Sequence, residues 1–123
     1  MFITRHNPTD GQIATVKALG YDGIETKEIV FFNSFVDSPV AQLCEIGIKP
    51  GDTVAVVAPL SVALTLLRAG YRLIEFQNEP SARQKGVFIC RGAWIHTLDK
   101  SQFISCPIPA DAQEQGSLNP VAG

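Results

Sequence analysis

The sequence lacks most of the features that announce a function. No apolar run approaches the ~20 residues that a membrane-spanning helix needs. The first residues lack the basic-then-apolar order of a secretory signal, so the cytoplasm is the expected location. Only three cysteines occur in 123 residues. So sparse and odd a set excludes a disulfide scaffold and reads as free thiols in reducing surroundings. Neither sign of charge dominates. Ten Lys and Arg stand against twelve Asp and Glu, for a net charge of −2, which leaves no electrostatic footprint for duplex nucleic acid or a membrane surface. There is no glycine-rich dinucleotide loop, no phosphate-loop lysine and no nucleophile-elbow serine. Cys90, His96 and Cys106 do not hold the short spacings of structural zinc sites. Alternating strand positions would bury the two cysteines as small hydrophobes, so neither a metal nor another cofactor is expected.

What is present suits one α/β domain. Hydrophobic residues make up 46% and charged residues 18%, ordinary for a chain that builds a core, and the length fits a single domain. The last residues differ. Between 107 and 123 there are two acids, no base, and many Pro, Ala, Gly and Gln residues without apolar periodicity. Residues 1–106 are therefore expected to fold as a single α/β domain and 107–123 to form a flexible tail.

Within 1–106, apolar runs alternate with turn signals. Thr9 followed by Gln12 is a capping-box signature, after which Ile13, Val16 and Leu19 share a helical face up to Gly20. Residues 24–32 are β-branched and aromatic, hence strand. Asp37-Ser38-Pro39 offers a cap and a first-turn proline for a short helix carrying Val40, Leu43 and Cys44. Lys49-Pro50-Gly51-Asp52 is a turn, 53–58 a buried strand, 61–69 an apolar helix with Ser61 as its cap, and 71–76 the next strand. A polar loop over 77–86 precedes three short strand candidates, 87–90, 93–97 and 102–106. Residues 15–25 (TVKALGYDGIE) echo 65–75 (TLLRAGYRLIE), identical at five of eleven positions. Both read as a helix end, a glycine stop and a strand start. The expected fold is a Rossmann-like, doubly wound α/β sandwich: a mostly parallel sheet, three main helices, and an antiparallel β extension near the C-terminus.

In an open parallel sheet, ligands bind beyond the carboxyl ends of the strands. Two loops qualify, Thr4-Arg5-His6-Asn7-Pro8-Thr9 and Ala58-Pro59-Leu60-Ser61, each leading into a helix N-terminus whose free N–H groups suit phosphate. Arg5 and His6 stand beside the first, where His6 has the right chemistry for proton transfer; a surface ion pair for Arg5 and a loop contact for His6 would explain them equally simply. Arg68, Arg72, Arg83, Lys85 and Arg91 make residues 68–91 basic, and Arg83 and Lys85 lie in the polar loop where a phosphodiester could be gripped. A solvated loop accounts for the same two residues. Glu25 and Glu75 are acid–base candidates that solvent-facing strand positions also explain. Phe88, Trp94 and Phe103 read as core or interface rather than as stacking platforms.

Several of these motifs together resemble a known family. Thr4-Arg5-His6 at the end of the first strand, Pro50-Gly51-Asp52 entering the third, the helix end Ala69-Gly70-Tyr71-Arg72, and the 80–86 loop with Arg83 are similar to the small Rossmann-like proteins encoded beside type III CRISPR systems. That CRISPR-associated ancillary family acts as ring nucleases on cyclic oligoadenylate, an antiviral second messenger. The resemblance covers roughly residues 1–92. It implies a metal-independent cleavage in which a ribose 2′-OH attacks the adjacent phosphate in line. Arg5 and His6 would hold the scissile phosphate, with ligand contacts from Thr4, Asn7, Thr9, Pro59 and Ser61. Arg83 and Lys85 would close over the ring. A two-fold homodimer would match a two-fold ring, each subunit taking half of the phosphates. The alternatives are a non-catalytic nucleotide- or phosphate-binding module, and a small homodimeric assembly protein without a ligand.

Overall fold

The computed structural model describes residues 2–3, 7–27 and 38–113. In chain order they form β1 (Phe2–Ile3), α1 (Asp10–Ala18), β2 (Glu25–Thr26), α2 (Pro39–Glu45), β3 (Thr53–Ala55), α3 (Leu60–Arg68), β4 (Arg72–Pro80), β5 (Phe88–His96) and β6 (Ser101–Ser105), a mixed α/β arrangement. Local chemistry sets the helix boundaries. The Gln12 amide donates to Thr9 Oγ1 at 3.2 Å and the Thr9 amide donates to Gln12 Oε1 at 3.0 Å, the reciprocal capping box expected for α1. Ser38 Oγ accepts from the Ala41 amide at 3.2 Å, with Pro39 opening α2. For α3 the expectation needs correcting. Its cap is Pro59, whose locked φ of −58° supplies the extended entry that a cap position needs. Ser61 lies inside the first turn, where its carbonyl accepts from the Thr65 hydroxyl at 2.9 Å.

The sequence echo has a structural meaning. At the end of α1 the Tyr21 amide donates to Val16 O at 3.0 Å, and at the end of α3 the Tyr71 amide donates to Leu66 O at 3.1 Å. Gly20 and Gly70 between them adopt φ of 102° and 104°, a left-handed step that costs glycine little. The shared letters are one helix-stop motif used twice.

The sheet order is β2-β1-β3-β4-β5-β6. β1 pairs in parallel with both β2 and β3, β3 pairs in parallel with β4, and β5 and β6 add on in antiparallel fashion. Side chains alternate between two cores. Val54 and Leu73 face α2 and α3, packing with Leu43, Ile48, Val62, Leu66 and Tyr71. Ala55, Ile74 and Ala93 face the other way, toward Leu19 and Ile24, on the side where α1 lies against β5. The Tyr71 hydroxyl, inside the first core, donates to Ile48 O at 2.9 Å. None of the helices among the described residues is long and apolar enough to cross a membrane.

β3 ends at Ala55, short of the expected 53–58, and three expectations for the chain after α3 also differ from what is observed. β4 does not stop at Phe76. It runs on to Pro80, so that residues 77–80, expected in a polar loop, pair with β5. Both faces of this extension meet solvent, so backbone pairing holds it without apolar alternation. β5 joins two candidates that sequence reading separates at Arg91-Gly92. Gln77 opposes Gly92 and Asn78 opposes Cys90, which leaves Arg91 as the extra residue of a bulge. Gly92 is required there: its φ is 152°, and a Cβ would stand 2.1 Å from Ile104 O. Finally, residues 107–113, expected in a flexible tail, stay on the domain. A helical turn starts at Ala110, and the Gln113 side chain accepts from the Cys90 amide at 2.8 Å while donating to Cys90 O and Ile108 O, both at 2.9 Å. The remaining 114–123, and residues 28–37 of the expected second strand and loop, lie outside the described residues.

Candidate functional site

Because β2 lies on one side of β1 while β3 and β4 lie on the other, strand order reverses between β1 and β3. In a parallel sheet that point leaves a crevice beyond the carboxyl ends. Thr4, Arg5 and His6, which follow β1 there, lie outside the described residues. On the β3 side, Pro59 opens α3, and its neighbours Val57 and Leu60 are exposed apolar side chains.

An open cleft of about 490 Å³ lies at the start of α1. Thr9, Asp10 and Gly11 at the start of α1 form one wall. Gly86, Val87 and Phe88 from the β4–β5 connection form another, and Ile108 and Gln113 from the segment after β6 close a third side. Among the first-turn amides of α1, those of Thr9 and Gln12 are taken by the capping box. The amides of Asp10 and Gly11 have no helical acceptor. The Asp10 carboxylate stands at the same helix start and offsets part of the pull that the helix end exerts on an anion.

Thr9 lines the cleft, and the loop carrying Arg83 and Lys85 leads into Gly86 on another wall without either side chain lining it; Ser61 and Pro59 sit at a different helix start and do not line the cleft. Asn7 and Lys85 are exposed. Ser81 Oγ accepts from the Arg83 and Gln84 amides at 3.1 and 3.2 Å, which fixes the loop locally. Arg83 reaches Asp111 at 3.6 Å, tying that loop to the segment after β6; an exposed pair of this kind contributes little stability. The wider basic run does not gather. Arg68 ends α3 and Arg72 begins β4, at the amino side of the sheet, and Arg91 is paired with Glu79.

Other candidates are engaged structurally. Glu25 pairs with Lys27 at 2.7 Å. Glu75 Oε1 meets His96 Nε2 at 2.9 Å, and His96 Nδ1 lies 2.6 Å from Ser101 Oγ. Cys90 and Cys106 sit at the other end of β5, around Gly11: the Cys106 thiol donates to Gly11 O at 3.3 Å, and Thr15 Oγ1 is 3.7 Å from Cys90 Sγ. Burial is the main reason that the Cys90 thiol titrates above its ordinary range, which makes it a poor nucleophile. Among the described residues, no group of three His, Cys, Asp or Glu side chains is placed to hold a metal ion. Phe88, Trp94 and Phe103 are 58%, 36% and 43% exposed, so the core reading of these aromatics does not hold.

Gln113 and Gly11 are the residues that sequence reasoning missed. A Cβ on Gly11 would lie 2.5 Å from Gln113 Oε1 and 3.0 Å from Cys90 Cβ, so this glycine lets the latch seat. No local signal marks either residue. Compared with known protein families, curated proteins and solved structures, the chain matches none.

Proposed function

We propose that the chain is a Rossmann-like nucleotide-binding protein whose ligand is a cyclic oligoadenylate, and that it cleaves the ring without a metal. The observation that carries this reading is the cleft at the start of α1, the helix that follows β1. Its size falls within the roughly 300–1,000 Å³ typical of small-molecule sites. Its wall chemistry is mixed in the way a nucleotide needs. Pro8, Val87, Phe88 and Ile108 offer apolar surface for a base, while the Asp10 and Gly11 amides and the adjacent Arg83–Lys85 loop offer donors and positive charge for a phosphate. Arg5 and His6 follow β1 directly in sequence. They are the groups assigned to the scissile phosphate, His6 donating to or taking a proton from the ribose and phosphate oxygens. In-line attack by a ribose 2′-OH asks the protein for positioning and charge stabilisation only.

The test uses the purified full chain with cyclic tetra-adenylate, in buffer containing a metal chelator, with products resolved by chromatography and binding followed by calorimetry. Linear or 2′,3′-cyclic-phosphate products are expected. Binding without products would reduce the assignment to a non-catalytic nucleotide-binding module. Neither binding nor cleavage would overturn it.

A further inference from the structure

We propose that a second copy of this chain pairs with the outer edge of β6, Phe103 against Phe103 across a two-fold axis. β6 ends the sheet. The Thr97 amide donates to Lys100 O and the Cys106 amide donates to Arg91 O, each at 2.9 Å. In an antiparallel ladder the bonded residues alternate. Residues 100, 102, 104 and 106 therefore turn their backbone groups toward β5, and Ser101, Phe103 and Ser105 turn theirs outward. Those outward groups meet no partner among the described residues. Natural edges are usually blunted by charge, proline or a covering loop. Ser101-Gln102-Phe103-Ile104-Ser105 carries neither charge nor proline.

The edge is also self-complementary. A two-fold through Phe103 sets Ser101 against the partner's Ser105, so each outward residue exchanges its N–H and C=O with another outward residue. The charges next to the strand, Asp99 and Lys100, fall opposite the uncharged Cys106-Pro107 end of the second copy, so no like charges meet. The side chains agree. Phe103 stands on the same face as Trp94, with ring centroids 5.2 Å apart, and both are substantially exposed in the single chain. Pairing would extend them into one aromatic row, Trp94–Phe103 followed by the partner's Phe103 and Trp94.

This arrangement bears on the ligand. β6 runs in the same direction as the parallel strands, and pairing reverses that direction in the second copy. The two clefts then open at opposite ends of one continuous sheet. A single ring shared across the two-fold is therefore replaced by one ligand per protomer.

The pairing stands on the strand edge and not on the ligand, so the experiment uses the ligand-free full chain. Light scattering at micromolar concentration is combined with amide hydrogen exchange by NMR. The expected results are a mass twice 13.3 kDa and slow exchange at Ser101, Phe103 and Ser105 as well as at Gln102 and Ile104. Phe103→Lys should give a monomer in which only the 101, 103 and 105 amides become fast, retained protection at 102 and 104 showing that the fold is intact. Dilution of the wild-type chain should produce the same alternating pattern without any substitution. A wild-type monomer at micromolar concentration, or a dimer whose 101, 103 and 105 amides exchange fast, would overturn the proposal.

Discussion

Gly92 shows how a single residue can decide a strand. Its φ of 152° and the Ile104 carbonyl 2.1 Å from any added Cβ leave no room for a side chain. Gly92→Ala should cost at least about 1–3 kcal/mol from backbone strain alone, read as a lower denaturant midpoint at unchanged m-value. Tyr71 makes a second residue-level case. Burial, reinforced by Cys44 and by the charge of Asp52, holds its hydroxyl protonated well above the ordinary tyrosine range. In the unfolded chain a tyrosine loses its proton near pH ~10 and a cysteine near ~8.5. Both Tyr71 and Cys90 keep theirs longer when folded, so the folded state binds more protons and stability falls as pH rises. The contribution of these two groups to the unfolding free energy should be constant up to about pH 8 and decline above it. Tyr71→Phe should flatten the part above pH ~10 at a cost of about 1–2 kcal/mol at neutral pH, from the lost hydrogen bond to Ile48. At the proposed site, His6→Ala should lower turnover by ~10²–10³ with little change in binding, whereas Arg83→Ala should chiefly weaken binding. Steady-state kinetics with cyclic tetra-adenylate separates the two.

At the scale of elements, what could be read in advance was what neighbours in sequence decide. Thr9 and Gln12 are three residues apart, and Gly20 and Gly70 each close a motif five residues long, so caps and stops were legible. The continuation of β4 through Gln77, Asn78 and Glu79 was not, because those polar residues are held by pairing with β5 on the far side of a turn. Gln113 is the extreme case. It sits in a Pro- and Ala-rich stretch with no periodicity, and its partners Cys90 and Gly11 are 23 and 102 positions away. Of the candidate site residues, Thr9 at the start of α1 lines the cleft, so the site was legible to that extent, and Arg83 and Lys85 only precede its Gly86 wall; Ser61 is not the cap of α3 because a proline can open a helix without a side-chain cap. The latch carries a stability prediction. Gln113→Ala strips the Cys90 amide and carbonyl of partners, at about 1–3 kcal/mol. With each kcal/mol lowering the melting temperature by several degrees in a domain of this size, deleting residues 107–123 should produce a clear drop in a thermal scan. An unchanged melting temperature would mean that the latch adds nothing.

On the whole-molecule scale, the fold divides its labour. α2 and α3 cover one face of the parallel strands, α1 covers the other, and the antiparallel β5 and β6 carry the exposed Trp94 and Phe103, which do not line the cleft. The proposed ligand cleft and the proposed pairing edge therefore involve different residues of one sheet, and substitutions at Phe103 should leave the affinity of each cleft for its ligand unchanged. The same strand order also sets a timetable for folding. β4, β5 and β6 are neighbours both in sequence and in space, so they can zip together through short turns on the ~1–10 μs scale of hairpin formation. β1 is made first, yet it belongs between β2 and β3, with Ile3 opposite Ala55, and must wait for a long loop to close. During synthesis β1 thus emerges before the strands that flank it, and Phe2 stays without its neighbour Val54 until β3 has been synthesised.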